Sequence, residues 1–359
     1  MDRGNGGGLT SAAVSALGAF SGEGDLIYFV DQDGESTAQS YSGKDLTDKP
    51  AIVLMDSGSA SASEIFAGGV LGTGSGIVIG TRSYGKGVAQ VLYDESNCPY
   101  LHGDAVKVTA YRFYCAGGNT TDRIGVVPTL YIPQDQAVAA ARLLSGEKTK
   151  DSAYLRLVLN GCDFYINIPA AKESSSAALE AILAALTPDA VLYWGENGGE
   201  RKLTLAQARE KCGFAAASAL DFSDVADSEY AQEIDSLAAS RIVFGDGGKF
   251  RPDATMTRAE VCALLAQALD LYSTANGCFT DVAKGSWYAP SVNAMAAIGL
   301  VSGVGGGKFD PNATMTQEEF ITVLGRLVEF VNLDARWPFC SRCRSIRAFH
   351  TGPSAARSF

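Results

Sequence analysis

Serine, lysine and glutamine residues with a spacing suited to nucleophilic chemistry occur within one stretch, residues 51–90. A turn built only from Ser, Gly and Ala, residues 57–63, is followed by Lys86 between two glycines and then by Gln90. A serine hydroxyl is a weak nucleophile and needs a base within hydrogen-bonding reach. A lysine can be that base where burial lowers its pKa toward neutrality. The stretch therefore suggests a serine of this turn as nucleophile and Lys86 as its base.

The histidines offer no competing base. The chain has two, of which His350 lies in an atypical tail and His102 has no obvious carboxylate neighbour. From spacing alone, the stretch could be a Ser–Lys catalytic site or an ordinary turn and loop. Ser–Ala turns are common, and a Gly-Lys-Gly sequence is more often a solvated loop than the site of a catalytic base.

The same stretch predicts the elements that would position these side chains. Ile52–Met55 is an unbroken apolar run, typical of a strand buried on both faces, and Ile77–Ile79 is a second such run. Between them, Glu64–Leu71 favours a helix. A strand–helix–strand unit of this kind places its strand-to-helix turn at the carboxyl edge of a sheet, where α/β proteins carry their sites.

The rest of the N-terminal part predicts an α/β layered fold that closes near residue 148. Helices are expected over residues 9–20 and 134–144, and strands over residues 26–30, 106–113 and 130–132. The next segment, residues 152–214, predicts a small α+β spacer domain in which no site chemistry is visible.

Composition limits the classes of function. The chain has 359 residues and a net charge of −11, which argues against nucleic acid and anionic membrane surfaces as partners. No apolar run reaches the length of a transmembrane helix, and no signal peptide is visible at the start. Only Cys340 and Cys343, of eight scattered cysteines, share a CxxC spacing, so neither a disulfide framework nor a metal site is predicted and the redox state stays open.

An internal repeat fills the C-terminal third. Phe222–Val225 (FSDV) recurs as Phe279–Val282 (FTDV), and KFRP at 249–252 recurs as KFDP at 308–311. Each unit predicts a helix, a glycine-rich turn and a second helix that opens with a capping box, Thr257 with Glu260 or Thr316 with Glu319. The last residues, 335–359, are basic and aperiodic, and we expect them to be disordered or out of frame.

The motifs of the N-terminal part resemble those of the carboxy-terminal processing (tail-specific) peptidases, which are serine proteases with a Ser–Lys dyad. GSASASEIFAGG and GTRSYGKGVAQ match the family's two catalytic motifs. The resemblance assigns Ser61 as nucleophile, Lys86 as base and Gln90 as an accompanying site residue. RGNGGG, near the start, is similar to the family's oxyanion loop, which implies that the Gly7 and Ala62 amides stabilise the oxyanion. It also implies a ClpP/crotonase-like fold and no metal or cofactor.

The same resemblance concerns the extent of the chain. In the family this oxyanion loop lies midway through the catalytic domain, after a PDZ-like domain. We therefore expect residues 1–148 to be the C-terminal part of a catalytic domain, with the PDZ domain, the N-terminal half and a signal peptide missing.

The repeat resembles S-layer homology modules, which anchor extracellular proteins to cell-wall polysaccharide of Gram-positive-type envelopes. We place the two modules at residues 219–273 and 276–333. The resemblance implies glycan contacts by Arg258 of the TRAE motif and by Trp287, whereas Gln317 replaces the arginine in the second module.

Two functions follow as hypotheses. The first is an envelope-anchored serine endopeptidase that cleaves polypeptides near the C-termini of secreted or envelope proteins. The second is a non-enzymatic protein that binds wall polysaccharide and carries an inactive protease-like domain.

Overall fold

The structure is a computed structural model that describes residues 3–216, 221–271, 273–274 and 277–331. The CxxC pair Cys340/Cys343, His350 and the rest of the predicted tail lie outside these residues. The six cysteines within them are free thiols.

The described residues form strands and helices in the following order. The strands are β1 Gly24–Val30, β2 Ser36–Tyr41, β3 Ala51–Met55, β4 Gly76–Gly80, β5 Val88–Tyr93, β6 Val106–Cys115, β7 Leu130–Tyr131, β8 Tyr154–Leu159, β9 Cys162–Asn167, β10 Val191–Glu196 and β11 Gly199–Leu203. The helices are α1 Thr10–Ser21, α2 Ala62–Thr73, α3 Gln134–Leu144, α4 Ile168–Ala184, α5 Leu205–Cys212, α6 Ala231–Ala239, α7 Arg258–Leu269, α8 Ala289–Ala297 and α9 Gln317–Phe330, with a short 3₁₀ turn at Pro99–Leu101.

The predicted strand–helix–strand unit is present and lies at the centre of the N-terminal part. Strands β3 and β4 pair in parallel, with Ile52 opposite Ile77, and β7 extends the sheet beyond β4. All five residues of β4 are buried, as the unbroken apolar run predicts. The parallel pairing brings the ends of β3 and β4 to one edge of the sheet, where the serine turn and the lysine loop begin.

A second sheet, in the order β2-β1-β6-β5, covers the other side of α1 and α2. Two glycines of α2 permit this close packing. A Cβ at Gly69 would lie 2.2 Å from a Leu17 methyl group, and one at Gly68 would lie 2.7 Å from Cys115 Sγ. The edge strand β5 begins two residues after Lys86 and was not predicted, although five of its six residues (VAQVLY) are apolar; none of the six is buried.

Residues 154–212 form a third sheet, in the order β11-β10-β8-β9, together with α4 and α5. The α+β composition agrees with the sequence. Its core is continuous with that of the N-terminal part, because Leu130 and Ile132 belong to the same buried cluster as Leu155 and Leu179. The domain boundary between residues 148 and 152 stays a prediction, and the spacer packs tightly on its neighbour.

The C-terminal repeat consists of helix pairs α6/α7 and α8/α9, as predicted. The repeated aspartates have a structural role in it. Asp224 accepts backbone N–H bonds from Phe250 and Arg251 at 2.8 and 2.9 Å, and Asp281 accepts the equivalent bonds in the second unit. These bonds lower the pKa of both carboxyl groups. The FxDV motif thus fixes the glycine turn of each unit.

Candidate active site

Ser61 lies at a sharp turn between β3 and α2, as the N-cap of the helix. Its φ of 60° and ψ of −117° are unusual for a residue with a side chain. Among the three serines of the SASAS turn, Ser59 and Ser63 are buried (0% and 5% exposed), and Ser61 is the one that is half-exposed. The structure therefore favours Ser61 over its neighbours as the hydroxyl that a substrate could reach.

Glu64 connects the serine turn to the lysine loop. Its fully buried carboxylate accepts the backbone N–H groups of both Ser61 and Lys86 on Oε2, each at 2.8 Å. The other oxygen, Oε1, accepts the Ser83 hydroxyl at 2.6 Å and the Gly85 N–H at 2.7 Å. Ser61 and Lys86 are thus held within two hydrogen-bond lengths of each other at the backbone. Burial is the main effect on the carboxyl group and raises its pKa, while the four donors oppose the rise.

Glu64 was not among the predicted site residues, although the sequence contains a signal for it. It stands three residues after Ser61 and before an apolar run, the pattern of a capping box. The signal indicates a bond from Glu64 to the Ser61 backbone. It does not indicate the bonds to the loop more than 20 residues away.

Lys86 lies in a loop that packs against residues 121–126. The Arg123 N–H donates to Gly85 O at 2.9 Å, and a Cβ at Gly87 would lie 2.3 Å from the Asp122 backbone nitrogen. Gly87 is therefore required by a close backbone contact, and Gly85 by its φ of +92°. Within the described part of the chain, the Lys86 ammonium makes no ion pair. Lys86 is half-buried.

The loop at the start of the chain is attached directly to the serine turn. The Gly4 N–H donates to Asp56 Oδ1 at 2.8 Å, and the Ala60 N–H donates to Asn5 O at 2.9 Å. Gly7, with φ of +94°, lies so close that a Cβ would be 2.8 Å from both Ala62 N and Ser61 Cβ. The structure therefore brings the two predicted oxyanion donors, Gly7 and Ala62, next to the predicted nucleophile. The Gly7 N–H itself donates to Asn5 Oδ1 at 3.1 Å.

Gln90 lies on β5, opposite Thr109 of β6, and its side-chain amide donates to Thr109 Oγ1 at 3.4 Å. Gln90 is exposed, unlike the half-buried Ser61 and Lys86. In the described part of the chain, its side chain makes no hydrogen bond to either of them.

A cavity of about 270 Å³ opens beside the oxyanion loop. It is lined mainly by small and apolar residues of the loop, α1 and α2, including Gly7, Ala12, Ala16, Ala62 and Phe66. The buried Ser63 hydroxyl, for which the structure contains no hydrogen-bond partner among the described residues, also lines it. The cavity could accept a small apolar side chain next to a bond held at Ser61.

Arg258 begins α7 and reaches from the first C-terminal module into the second. Its guanidinium donates to Phe309 O and Ser302 O, each at 2.9 Å, and to Glu319 Oε1 at 2.8 Å. It also stacks over the Phe309 ring at 4.7 Å. The side chain is buried, which the sequence did not anticipate. A contact of this arginine with glycan stays a prediction, and its visible role is to connect the two modules.

A groove of about 330 Å³ adjoins this connection. Arg258, Ser302, Glu318, Thr322 and Arg326 are among its lining residues. Arg326 was not predicted, and it adds a second guanidinium to the groove.

The two other residues singled out in the modules lie apart from this groove. Trp287 is 65% exposed, packs edge-on against Tyr288 and is not among the described residues that line the groove. Gln317, the counterpart of Arg258, is exposed at the start of α9.

The described residues contain no cluster of three or more His, Cys, Asp or Glu side chains arranged to hold a metal ion. They also contain no helix that is long and apolar enough to cross a membrane.

Comparison with protein families identifies two parts of the chain. Residues 2–132 match the model of peptidase family S41, and residues 221–262 and 279–321 match the S-layer homology domain. The chain thus carries a segment of the S41 peptidase family followed by S-layer homology domains, which confirms the resemblance inferred from the motifs.

Individual relatives agree with this division. The chain is 34% identical over 131 residues to a chloroplastic C-terminal processing peptidase of Tetradesmus obliquus, covering 36% of this chain and 27% of that protein. It is 34% identical over 121 residues to the carboxy-terminal processing protease CtpB of Bacillus subtilis, covering 32% and 24%. A cell surface protein of Thermoanaerobacter kivui is 33% identical over 135 residues, covering 35% and 17%. The chain spans between 27% and 36% of the first four curated relatives it matches.

Among solved structures, a photosystem II D1 C-terminal processing protease is 34% identical. The match covers 37% of this chain and 33% of that one, with a TM-score of 0.34.

Proposed function

We propose that this chain is part of a serine endopeptidase of the carboxy-terminal processing type, anchored at the cell envelope by its S-layer homology domains. Ser61 is the nucleophile and Lys86 the base. The observation that carries the proposal is the Glu64 carboxylate, which holds the backbones of both residues through one oxygen atom. The attachment of the Gly7 loop to the same turn supports it, since donors for an oxyanion are then already beside the nucleophile.

In the proposed reaction, Ser61 Oγ attacks the scissile carbonyl carbon and its proton passes to Lys86 Nζ. The Gly7 and Ala62 N–H groups donate to the oxyanion that forms. For this the Gly7 N–H must exchange its bond to Asn5 Oδ1 for one to the oxyanion. Lys86 then gives its proton to the leaving amine as the C–N bond breaks, which leaves an ester on Ser61. Water, deprotonated by Lys86, hydrolyses that ester and restores the free serine.

The cavity beside the oxyanion loop suggests the substrate class. Its small, mostly apolar walls suit a polypeptide with a small apolar residue next to the cleaved bond. Because the relatives are named for C-terminal processing, the proposed substrates are C-terminal regions of polypeptides. The S-layer homology domains favour secreted or envelope proteins among these.

Ser61→Ala tests the nucleophile. We expect cleavage of a peptide with alanine before the scissile bond to fall by at least about 10⁴-fold, because the other two serines of the turn, Ser59 and Ser63, are buried. The measurement is product formation by mass spectrometry, with the whole protein. Ser96→Ala, in an exposed turn, is the matched control and should cleave like the unchanged protein. Equal cleavage by the Ser61 and Ser96 variants would reject Ser61.

The proposed anchor is the pair of S-layer homology modules, which would bind an anionic cell-wall polysaccharide at the groove between them. Arg258 lines the groove and bonds to Glu319 of the second module, and Arg326 also lines the groove. The two residues are therefore expected to affect binding in different ways.

Arg258→Ala should weaken polysaccharide binding and also destabilise the modules. It removes a buried guanidinium with three partners, and we expect a loss of about 2 kcal/mol in unfolding free energy, moderated by the partial exposure of Glu319. Arg326→Ala should weaken binding in a pull-down with purified wall polysaccharide and leave the melting temperature within about 2 °C. Unchanged binding in both variants would place the glycan elsewhere.

The non-enzymatic alternative, a wall-binding protein with an inactive protease-like part, predicts a different outcome. The unchanged protein would then show no more cleavage than its Ser61→Ala variant, while its polysaccharide binding would be retained.

A further inference from the structure

The S-layer homology modules contact the peptidase segment at two arginines, Arg82 and Arg123, that flank the Lys86 loop. Arg82 Nη1 donates to the Ala268 carbonyl, in the last turn of α7. Arg123 Nη1 donates to the carbonyl of Phe330, the last residue of α9, at 2.7 Å. Its guanidinium also stacks over the Phe330 ring at 4.5 Å.

Both contacts use the same physical chemistry. The last four carbonyl groups of a helix lack partners within the helix, and the helix dipole makes this end negative, so a guanidinium is favoured there. Each module thus offers the C-terminal end of its second helix to one arginine of the peptidase segment. Asp270, just beyond α7, lies close enough to raise the pKa of Arg82, against a larger lowering by burial.

An apolar contact and a cavity lie beside the bonds of the two arginines. Ile124, next to Arg123, packs against a hydrophobic cluster that α7 of the first module forms together with the second module. A cavity of about 200 Å³ lies between Arg82 and Tyr131 on one side and Arg241 and Asp270 on the other. Residues of the peptidase segment and of the first module thus line one cavity beside Arg82, and Ile124 adds an apolar contact beside Arg123.

Each arginine is connected, through its own backbone or through the next residue, to the groups that hold Ser61 and Lys86. Arg123 donates its own N–H to Gly85 O, directly before Lys86. Arg82 precedes Ser83, whose hydroxyl donates to Glu64 and accepts the Val126 N–H at 2.6 Å. A shift of either arginine would move a loop of the active site.

We propose that the S-layer homology modules bind the peptidase segment through Arg82 and Arg123 and thereby hold the Lys86 loop in place. The modules then stabilise a loop of the active site in addition to anchoring the protein. The consequence for catalysis rests on the function proposed for Lys86, whereas the interface itself does not.

Hydrogen–deuterium exchange of the whole chain tests the interface without any assay of cleavage. In the double variant Arg82→Ala/Arg123→Ala, we expect amides of residues 83–87 and 121–126 to exchange about tenfold faster than in the unchanged protein. Arg142→Ala, an exposed arginine of α3, is the matched control and should leave these amides unchanged.

Phe330→Ala provides a second test from the module side, where no peptidase residue is altered. It removes the ring under Arg123 and should speed exchange in residues 121–126 in the same direction. The proposal is overturned if both the double variant and Phe330→Ala show the exchange rates of the unchanged protein. Exchange does not depend on turnover, so the two proposals can fail separately. If the unchanged protein cleaves no peptide while the variants exchange faster than it does, the Ser–Lys mechanism is rejected and the interface is kept.

Discussion

Replacing Lys86 by methionine is expected to reduce peptide cleavage by about 10⁴-fold with little change in stability. Methionine keeps an unbranched side chain of similar length but has no group that can accept the Ser61 proton. The backbone bonds of the loop, Lys86 N–H to Glu64 and Arg123 N–H to Gly85 O, are unaffected by this change. The measurement is kcat/KM on the peptide used for Ser61→Ala, together with a thermal unfolding curve.

Lys107→Met is the matched control, because Lys107 is an exposed lysine on β6, the strand that pairs with β5 after the Lys86 loop. It should retain full activity. The double variant Ser61→Ala/Lys86→Met adds a sharper test, since residues that act as a unit give non-additive losses. A double variant no worse than either single variant supports a dyad. Losses that multiply, or an active Lys86→Met protein, would contradict it.

The βαβ unit could be predicted because its signals are local. Two apolar runs with a helical segment between them fix the parallel strands, and the strands fix the edge at which the serine turn and the lysine loop begin. The choice of Ser61 among three serines required more than spacing. Exposure now supports that choice independently, since Ser59 and Ser63 are both buried.

The bonds that assemble the site could not be predicted from the same patterns. Glu64 binds the lysine loop at Gly85 and Lys86, and nothing local in the sequence records a contact across that distance. The shared core of the spacer and the peptidase segment was not predicted, for the same reason. Leu130 and Leu179 lie in segments that the sequence predicts as separate units, and only the fold shows that both belong to one buried cluster.

Arg258 shows how a residue type can be recognised while its environment is missed. The sequence marks it as a helix-opening arginine without a structural explanation. The structure supplies one, because all its partners lie in the next repeat, at Phe309, Ser302 and Glu319. A repeat pattern describes each module separately, so contacts between modules are outside its reach.

Glu64→Gln is expected to have the largest effect on stability, a loss of about 3 kcal/mol, together with a fall in cleavage of at least about 100-fold. Four donors converge on the two oxygens of this buried carboxylate. Glutamine keeps the shape but replaces one oxygen with an NH₂ group, which itself donates. If its oxygen serves Ser61 and Lys86, the NH₂ group faces the Gly85 N–H, and a buried donor loses its acceptor.

Glu260→Gln provides a control at the equivalent position of another capping box. Glu260 also stands three residues after its N-cap, Thr257, but it is exposed and accepts bonds from Thr257 alone. Glu260→Gln should lower the free energy of unfolding by less than about 1 kcal/mol, because water can bond to any N–H or O–H group that the new amide leaves without an acceptor. Denaturant unfolding of both variants gives the comparison. Equal losses in unfolding free energy would mean that Glu64 acts only as a helix cap and that its bonds to the lysine loop contribute little. That result would remove the main support for treating Ser61 and Lys86 as one site.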